Sequence, residues 1–210
     1  MNEKISKDLK NYIEKNILPK YNTFDNGHNI DHAQKVINDS LTLVEKFDVD
    51  INMAYTVAAY HDVGIGTNRE LHHVISGEIL RADENLKKWF TPQQIETMQQ
   101  AVEDHRASNN YEPRNIYGKI VAEADRDISL QTILRRTLQF GLVKYPEADF
   151  DFHFDRAYSH IVNKYGENGY LKLYLHSEKN EQGLAEVRTA LHDKEKLKKM
   201  FEEMFVKQNV

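Results

Sequence analysis

The chain has 210 residues, 40% of them hydrophobic, with 28 Lys and Arg against 33 Asp and Glu for a formal charge of −5. That balance supports one substantial core and offers no basic face for a nucleic-acid duplex. There is no cysteine, which excludes disulfides, thiolate metal sites and a cysteine nucleophile and fits a reducing, cytoplasmic setting.

No run approaches the ~20 apolar residues of a membrane span. The opening "MNEKISKDLKNYIEKNILPK" is charged throughout and lacks the apolar centre of a secretory leader. Helical periodicity then governs nearly the whole chain. Leu9, Tyr12, Ile13 and Ile17 mark a first helix ending before Pro19. Ala33, Ile37, Leu41 and Val44 mark a second, with Asn29 or Asp31 suited to cap its start. A third runs from about Asp50, places Ala54, Val57, Ala58 and His61 on one stripe, and halts at Gly64. Beyond the polar connection "GIGTNRE", a fourth holds Val74, Ile75, Ile79 and Leu80. Thr91 followed by Pro92 is a strong start for a fifth. A sixth carries Ile120, Val121, Ala124 and Ile128, and Thr132 to Leu142 continues in helical form.

Two long helices are expected in the last third, at roughly 155–175 and 184–206, on either side of "HSEKNEQG". "DFDFHFD" alternates over a few residues and suggests a short extended piece near 150–154. No internal repeat and no Pro/Gly/Ser-rich linker divides the chain. The expectation is therefore one all-α domain over 1–210, with a core at about 27–128 and a C-terminal helical extension at about 129–210.

Three apolar stripes are interrupted by metal-capable side chains. His61 shares a face with Val57 and Ala54, and Asp62 follows it about 100° around the helix. A carboxylate at a helix C-terminus meets an unfavourable dipole, which a cation would relieve. His32 lies one turn before Val36, and Asp125 sits four residues after Val121 and three before Ile128. Each alone reads as a hydrogen-bonded core residue. Together, two imidazoles and two carboxylates form a mixed nitrogen and oxygen set suited to a divalent metal.

The ordered set His32, His61-Asp62, Asp125, in the contexts "DHAQKV", "AAYHDVG" and "VAEADRD", resembles the HD-domain superfamily of metal-dependent phosphohydrolases. The resemblance implies an all-helical fold and hydrolysis of a phosphomonoester or phosphodiester, often a nucleotide. It implies His32, His61, Asp62 and Asp125 as ligands of a divalent transition metal (Mn, Fe, Co, Ni or Zn) or Mg. One ion is expected. A second would follow if His73 and His105 also coordinate, as the likeness of "HHVISGEIL" and "AVEDHRAS" to segments of binuclear HD proteins implies; Asp62 would then bridge, having two oxygens. Otherwise these histidines line the pocket around one metal. Helix phase is loosest at a helix start, so His72 stands as the alternative to His73 in either role.

Asp62 and His105 are the candidates for proton transfer. Arg106, Lys119 and His72 are the candidates for substrate phosphate, Arg106 because a guanidinium matches phosphate oxygens. The partner implied is a small-molecule phosphoester, with the oligomeric state left open. Two alternatives belong to other classes: a non-catalytic nucleotide-binding or regulatory module, and a di-iron oxygenase.

Overall fold

The computed structural model describes residues 5–24 and 28–208. Met1–Lys4 of the charged opening, and Gly27 at the head of the expected core, lie outside the described residues. Among the described residues there are ten α-helices, two short 3-10 helices and no strand, so the fold is all-α. They gather into two compact units, dividing after Asp125.

In the first unit, α1 (Lys7–Asn16) is followed by a 3-10 helix (Leu18–Thr23), α2 (Ile30–Val44), α3 (Ile51–Tyr60), α4 (His72–Ala82), a second 3-10 helix (Glu84–Lys88), α5 (Pro92–Asp104) and α6 (Ile116–Ala124). Caps set where these helices begin. Asn29 accepts from the His32 amide and makes His32 the third residue of α2. Asp50 caps α3 through Asn52, and Asn115 caps α6 through Gly118. Thr91 and Gln94 form a reciprocal capping box at α5.

Every α3 residue from Met53 to Tyr60 is buried. A helix apolar all round belongs at the centre of its unit, and α3 packs against α2, α5 and α6. Its end therefore delivers His61 and Asp62 into the interior. Two expected core positions differ. Ser40 and Leu43, rather than Leu41, join Val44 on the buried side of α2. Val74 is exposed, and α4 buries Ser76, Gly77 and Leu80.

In the second unit are α7 (Leu130–Lys144), α8 (Phe150–Tyr165), α9 (Glu178–Leu191) and α10 (Lys194–Gln208). The "DFDFHFD" alternation does not give an extended piece. Asp149 accepts from the Phe152 amide at 2.9 Å and caps α8, which turns Phe152 outward and His153, Phe154 and Ala157 inward. This helix ends at Gly166 rather than running on to 175, and the chain folds back with Tyr170 donating to the Asn163 carbonyl and Leu171 to that of Lys164. The expected single helix at 184–206 is two. It breaks at His192–Asp193, where the Asp193 carboxylate accepts from the Lys196 amide and starts α10 anew. Leu134, Leu138, Phe154, Ile161, Val187, Leu197 and Phe201 fill the core of this unit.

Candidate metal centre

Three helices of the first unit end at one point. His61 is the C-cap of α3, His105 that of α5 and Asp125 that of α6. A helix C-terminus carries partial negative charge, so this convergence favours a cation before any side chain is considered. Two helix starts face it, with His32 in the first turn of α2 and His72 at the head of α4.

The buried Asp62 carboxylate lies at the centre and divides between two imidazole pairs. Its Oδ2 is 3.3 Å from His61 Nε2 and 3.7 Å from His32 Nε2. Its Oδ1 is 3.2 Å from His72 Nε2 and 3.4 Å from His105 Nε2. Asp125 joins through Oδ1, 3.2 Å from His32 Nε2. His32, His61 and Asp62 thus offer three ligand atoms within 4.8 Å of one another, and Asp62, His72 and His105 offer three more.

Ring tautomers follow from the backbone. His61 Nδ1 is 2.7 Å from the Ala58 carbonyl, His72 Nδ1 2.8 Å from that of Arg69, and His105 Nδ1 2.6 Å from that of Val102. A carbonyl only accepts, so each Nδ1 carries hydrogen and each neutral ring presents a lone pair at Nε2. Those nitrogens face partners of their own kind: His61 and His32 Nε2 lie 3.3 Å apart, as do His72 and His105 Nε2. Asp62 Oδ1, although close to two nitrogens, is buried without a hydrogen-bond donor. Lone pairs facing lone pairs around an orphaned carboxylate oxygen are unfavourable unless a proton or a cation lies among them. Two to four nitrogen and oxygen donors at one point suit a divalent transition metal, and the residues present fit such an ion.

Without the ion, protons take up part of that role. Burial pushes the His61 imidazolium down, but Asp62 and Asp125 outweigh it and hold the group up to about 9. Burial pushes the Asp62 acid up, and the charge of His61 first, with the neighbouring His105, takes it well below the usual carboxylate range. Asp125 is likewise lowered, against its burial, chiefly by His32. His72 goes the other way: burial, then the neighbouring His105, push it down to about 4.

Not every expected residue comes to this point. His72, not His73, faces Asp62, because α4 begins at residue 72 and the next position turns about 100° away. His73 has a buried Nδ1 with no hydrogen-bond partner and is pushed down by burial, His105 and Arg106. Arg106 donates to the Glu70 carbonyl at 2.6 Å, which ties the chain after α5 to the loop before α4. Lys119 pairs with Glu112 at 2.5 Å.

Other residues support the centre without any motif to announce them. The fully buried Tyr21 hydroxyl donates to the Ala59 carbonyl at 3.0 Å and accepts from the Asp62 amide at 3.2 Å. Burial and the Asp62 charge raise its pKa well above the ordinary value, so it stays a neutral donor. Asp104, next to His105, is clamped by the Arg114 guanidinium and accepts from the Arg114 amide at 2.7 Å.

Residues 29–128 match the family model of the HD domain. That stretch of the chain is an HD domain. Neither a curated protein nor a solved structure matches the chain significantly. The matched span of the HD domain contains all six converging side chains, from His32 to Asp125.

Proposed function

We propose that this protein is a metal-dependent phosphoric ester hydrolase acting on a small phosphomonoester or phosphodiester, a nucleotide foremost, in the cytoplasm. One observation carries the reading: the buried Asp62 carboxylate divides its oxygens between two imidazole pairs whose Nε2 lone pairs converge on it. The division favours two cations sharing Asp62. His32, His61, Asp62 Oδ2 and Asp125 would hold one, and Asp62 Oδ1, His72 and His105 the other.

Bound divalent cations supply positive charge that acidifies water and polarises a phosphoryl oxygen. The chain's own residues do the rest. The Nδ1 hydrogen bonds of His61, His72 and His105 orient each ring so that no side chain must reorganise when charge develops. Tyr21 fixes the turn that bears Asp62. His72 and His105 stand on the side where α4 meets the chain after α5, and Arg106, next to His105 in sequence and bonded to the Glu70 carbonyl, would receive a phosphate oxygen. Where only one cation binds, His105 is the group left to take up a proton.

The test is turnover of nucleotides and generic phosphoesters by the full chain with Mn, Fe, Co, Ni or Mg, beside Asp62→Asn. Removing groups that merely support ligands costs ~10–100-fold in metal affinity or activity, so loss of the shared carboxylate should exceed ~100-fold. Nucleotide binding by calorimetry with no turnover under any metal would favour the non-catalytic module instead. Consumption of dioxygen with an organic substrate would favour an oxygenase.

A further inference from the structure

We propose that Gly64 and Ser76 are positioning residues that create the second imidazole pair, by holding α4 against the turn that carries Asp62. The inference rests on the two-cation reading above and names what that reading depends on outside the ligands themselves.

Gly64 follows Asp62 by two residues in a tight turn in which the Ile65 amide donates to the Asp62 carbonyl at 3.0 Å. A β-carbon built on Gly64 would lie 2.6 Å from the His72 carbonyl oxygen, 2.8 Å from the Ser76 nitrogen and 2.9 Å from Ile75 Cβ. All three atoms belong to α4, and two are backbone, which cannot swing aside as a flexible side chain would. No glycine in the described residues has a positive φ, so residue 64 is glycine for space and not for conformation. The Gly64 amide also donates to Ser76 Oγ at 2.9 Å, and Ser76 is fully buried.

α4 is held at its start by the Arg106 bond to the Glu70 carbonyl and the His72 Nδ1 bond to that of Arg69, and on the side of Asp62 by Gly64. Its N-cap, Leu71, makes no side-chain capping bond and is exposed. The loop before it is held by Asn68, which accepts from the Glu70 and Leu71 amides. The contact with Gly64 therefore fixes how far His72 stands from Asp62. His32, His61 and Asp125 belong to α2, α3 and α6, none of which supplies the atoms nearest Gly64. Restoring a 2.6 Å approach to the 3.4 Å at which ordinary contact begins would move α4 by about 0.8 Å, beyond the ~0.5 Å within which a coordinating constellation works. A single methyl at residue 64 would thus withdraw His72 and leave the other group in place.

The experiment counts ions on the metal-free full chain by calorimetric titration with Co(II), with the visible Co(II) spectrum as a second readout and far-UV dichroism to confirm folding. Wild type is expected to bind two ions. Gly64→Ala and His72→Ala should keep the first within ~3-fold of wild-type affinity and weaken the second by more than ~10-fold, and Ser76→Ala should weaken the second in the same direction. A merely structural role would instead weaken both ions together. Two ions of wild-type affinity in Gly64→Ala overturn the proposal, as does equal loss of both ions in a folded variant. If Gly64→Ala fails to fold, Ser76→Ala decides: an unchanged second ion overturns the proposal. A single ion on the wild-type chain refutes the two-cation reading itself and this inference with it.

Discussion

Loading the centre with a cation must expel a proton. In the metal-free chain His61 is held up to about 9, because the Asp62 and Asp125 carboxylates outweigh the cost of its burial. At neutral pH its Nε2 therefore carries a proton between it and Asp62 Oδ2, 3.3 Å away. A cation needs that nitrogen bare, so uptake near pH 7.5 should release about one proton from His61. His72, pushed down to about 4, is already neutral and contributes none. Each pH unit well below the His61 value costs ~10-fold in affinity, so going from pH 9, where half of His61 is already deprotonated, to pH 7 should weaken binding ~50-fold, about 2 kcal/mol. Calorimetry in buffers of different ionisation heat counts the protons, and chelator competition from pH 7 to 9 gives the slope. The sign for folding is opposite. A folded value above the unfolded 6.5 stabilises the metal-free chain fully below about pH 6.5, and that contribution is lost as pH rises through about 9. Metal-free protein should lose thermal stability between pH 7 and 9. No proton release, with an affinity flat over that range, would refute the assignment of His61 as the protonated ligand.

Two further outcomes test what holds the centre in place. Tyr21→Phe leaves the Ala59 carbonyl and the Asp62 amide without the hydroxyl they share. It should cost about 1–3 kcal/mol in urea unfolding and weaken metal binding ~10–100-fold without changing the number of ions. Away from the centre, Asp83 accepts from the Tyr12 hydroxyl at 2.5 Å and the Tyr60 hydroxyl at 2.6 Å, joining α1, α3 and the end of α4. Bonds to a charged group are worth ~1.5–3 kcal/mol each when buried; with Asp83 half-exposed, Asp83→Ala should cost about 2 kcal/mol. Burial raises the Asp83 acid, but the two tyrosines lower it overall, so its contribution is present above about pH 4 and fades as pH falls through the lower folded value. Wild-type and Asp83→Ala stabilities should converge in acid, and a constant difference down to pH 2 would count against the charged bonds.

Legibility followed the range of the physics involved. Helix α5 was readable because Thr91, Pro92 and Gln94 act within one turn of each other. The stripe Ala54, Val57, Ala58, His61 pointed inward in sequence as it does in the fold, since one helix face needs only its own period. The misreadings came where two local signals competed. The phenylalanine alternation at 150–154 is outweighed by the Asp149 cap, and the charged run 192–195 conceals the Asp193 start of α10. At the head of α4, two adjacent histidines differ by one position of helix phase, which nothing local to "HHVISGEIL" decides.

The residue types that meet at the centre, and the all-α character of the chain, were written in the sequence alone. They depend on periodicity and on which side chains interrupt it, and both act over a few neighbouring residues. Tertiary structure decided how those side chains meet: that Asp62 faces two imidazole pairs, that His72 rather than His73 completes the second, and that Tyr21 and Ser76 stand behind them. Apart from His61 beside Asp62, each of these is a contact between different segments of the chain. Such a contact is set by how closely one backbone can approach another, as α4 does at Gly64. That distance belongs to the packed helices and to no single segment.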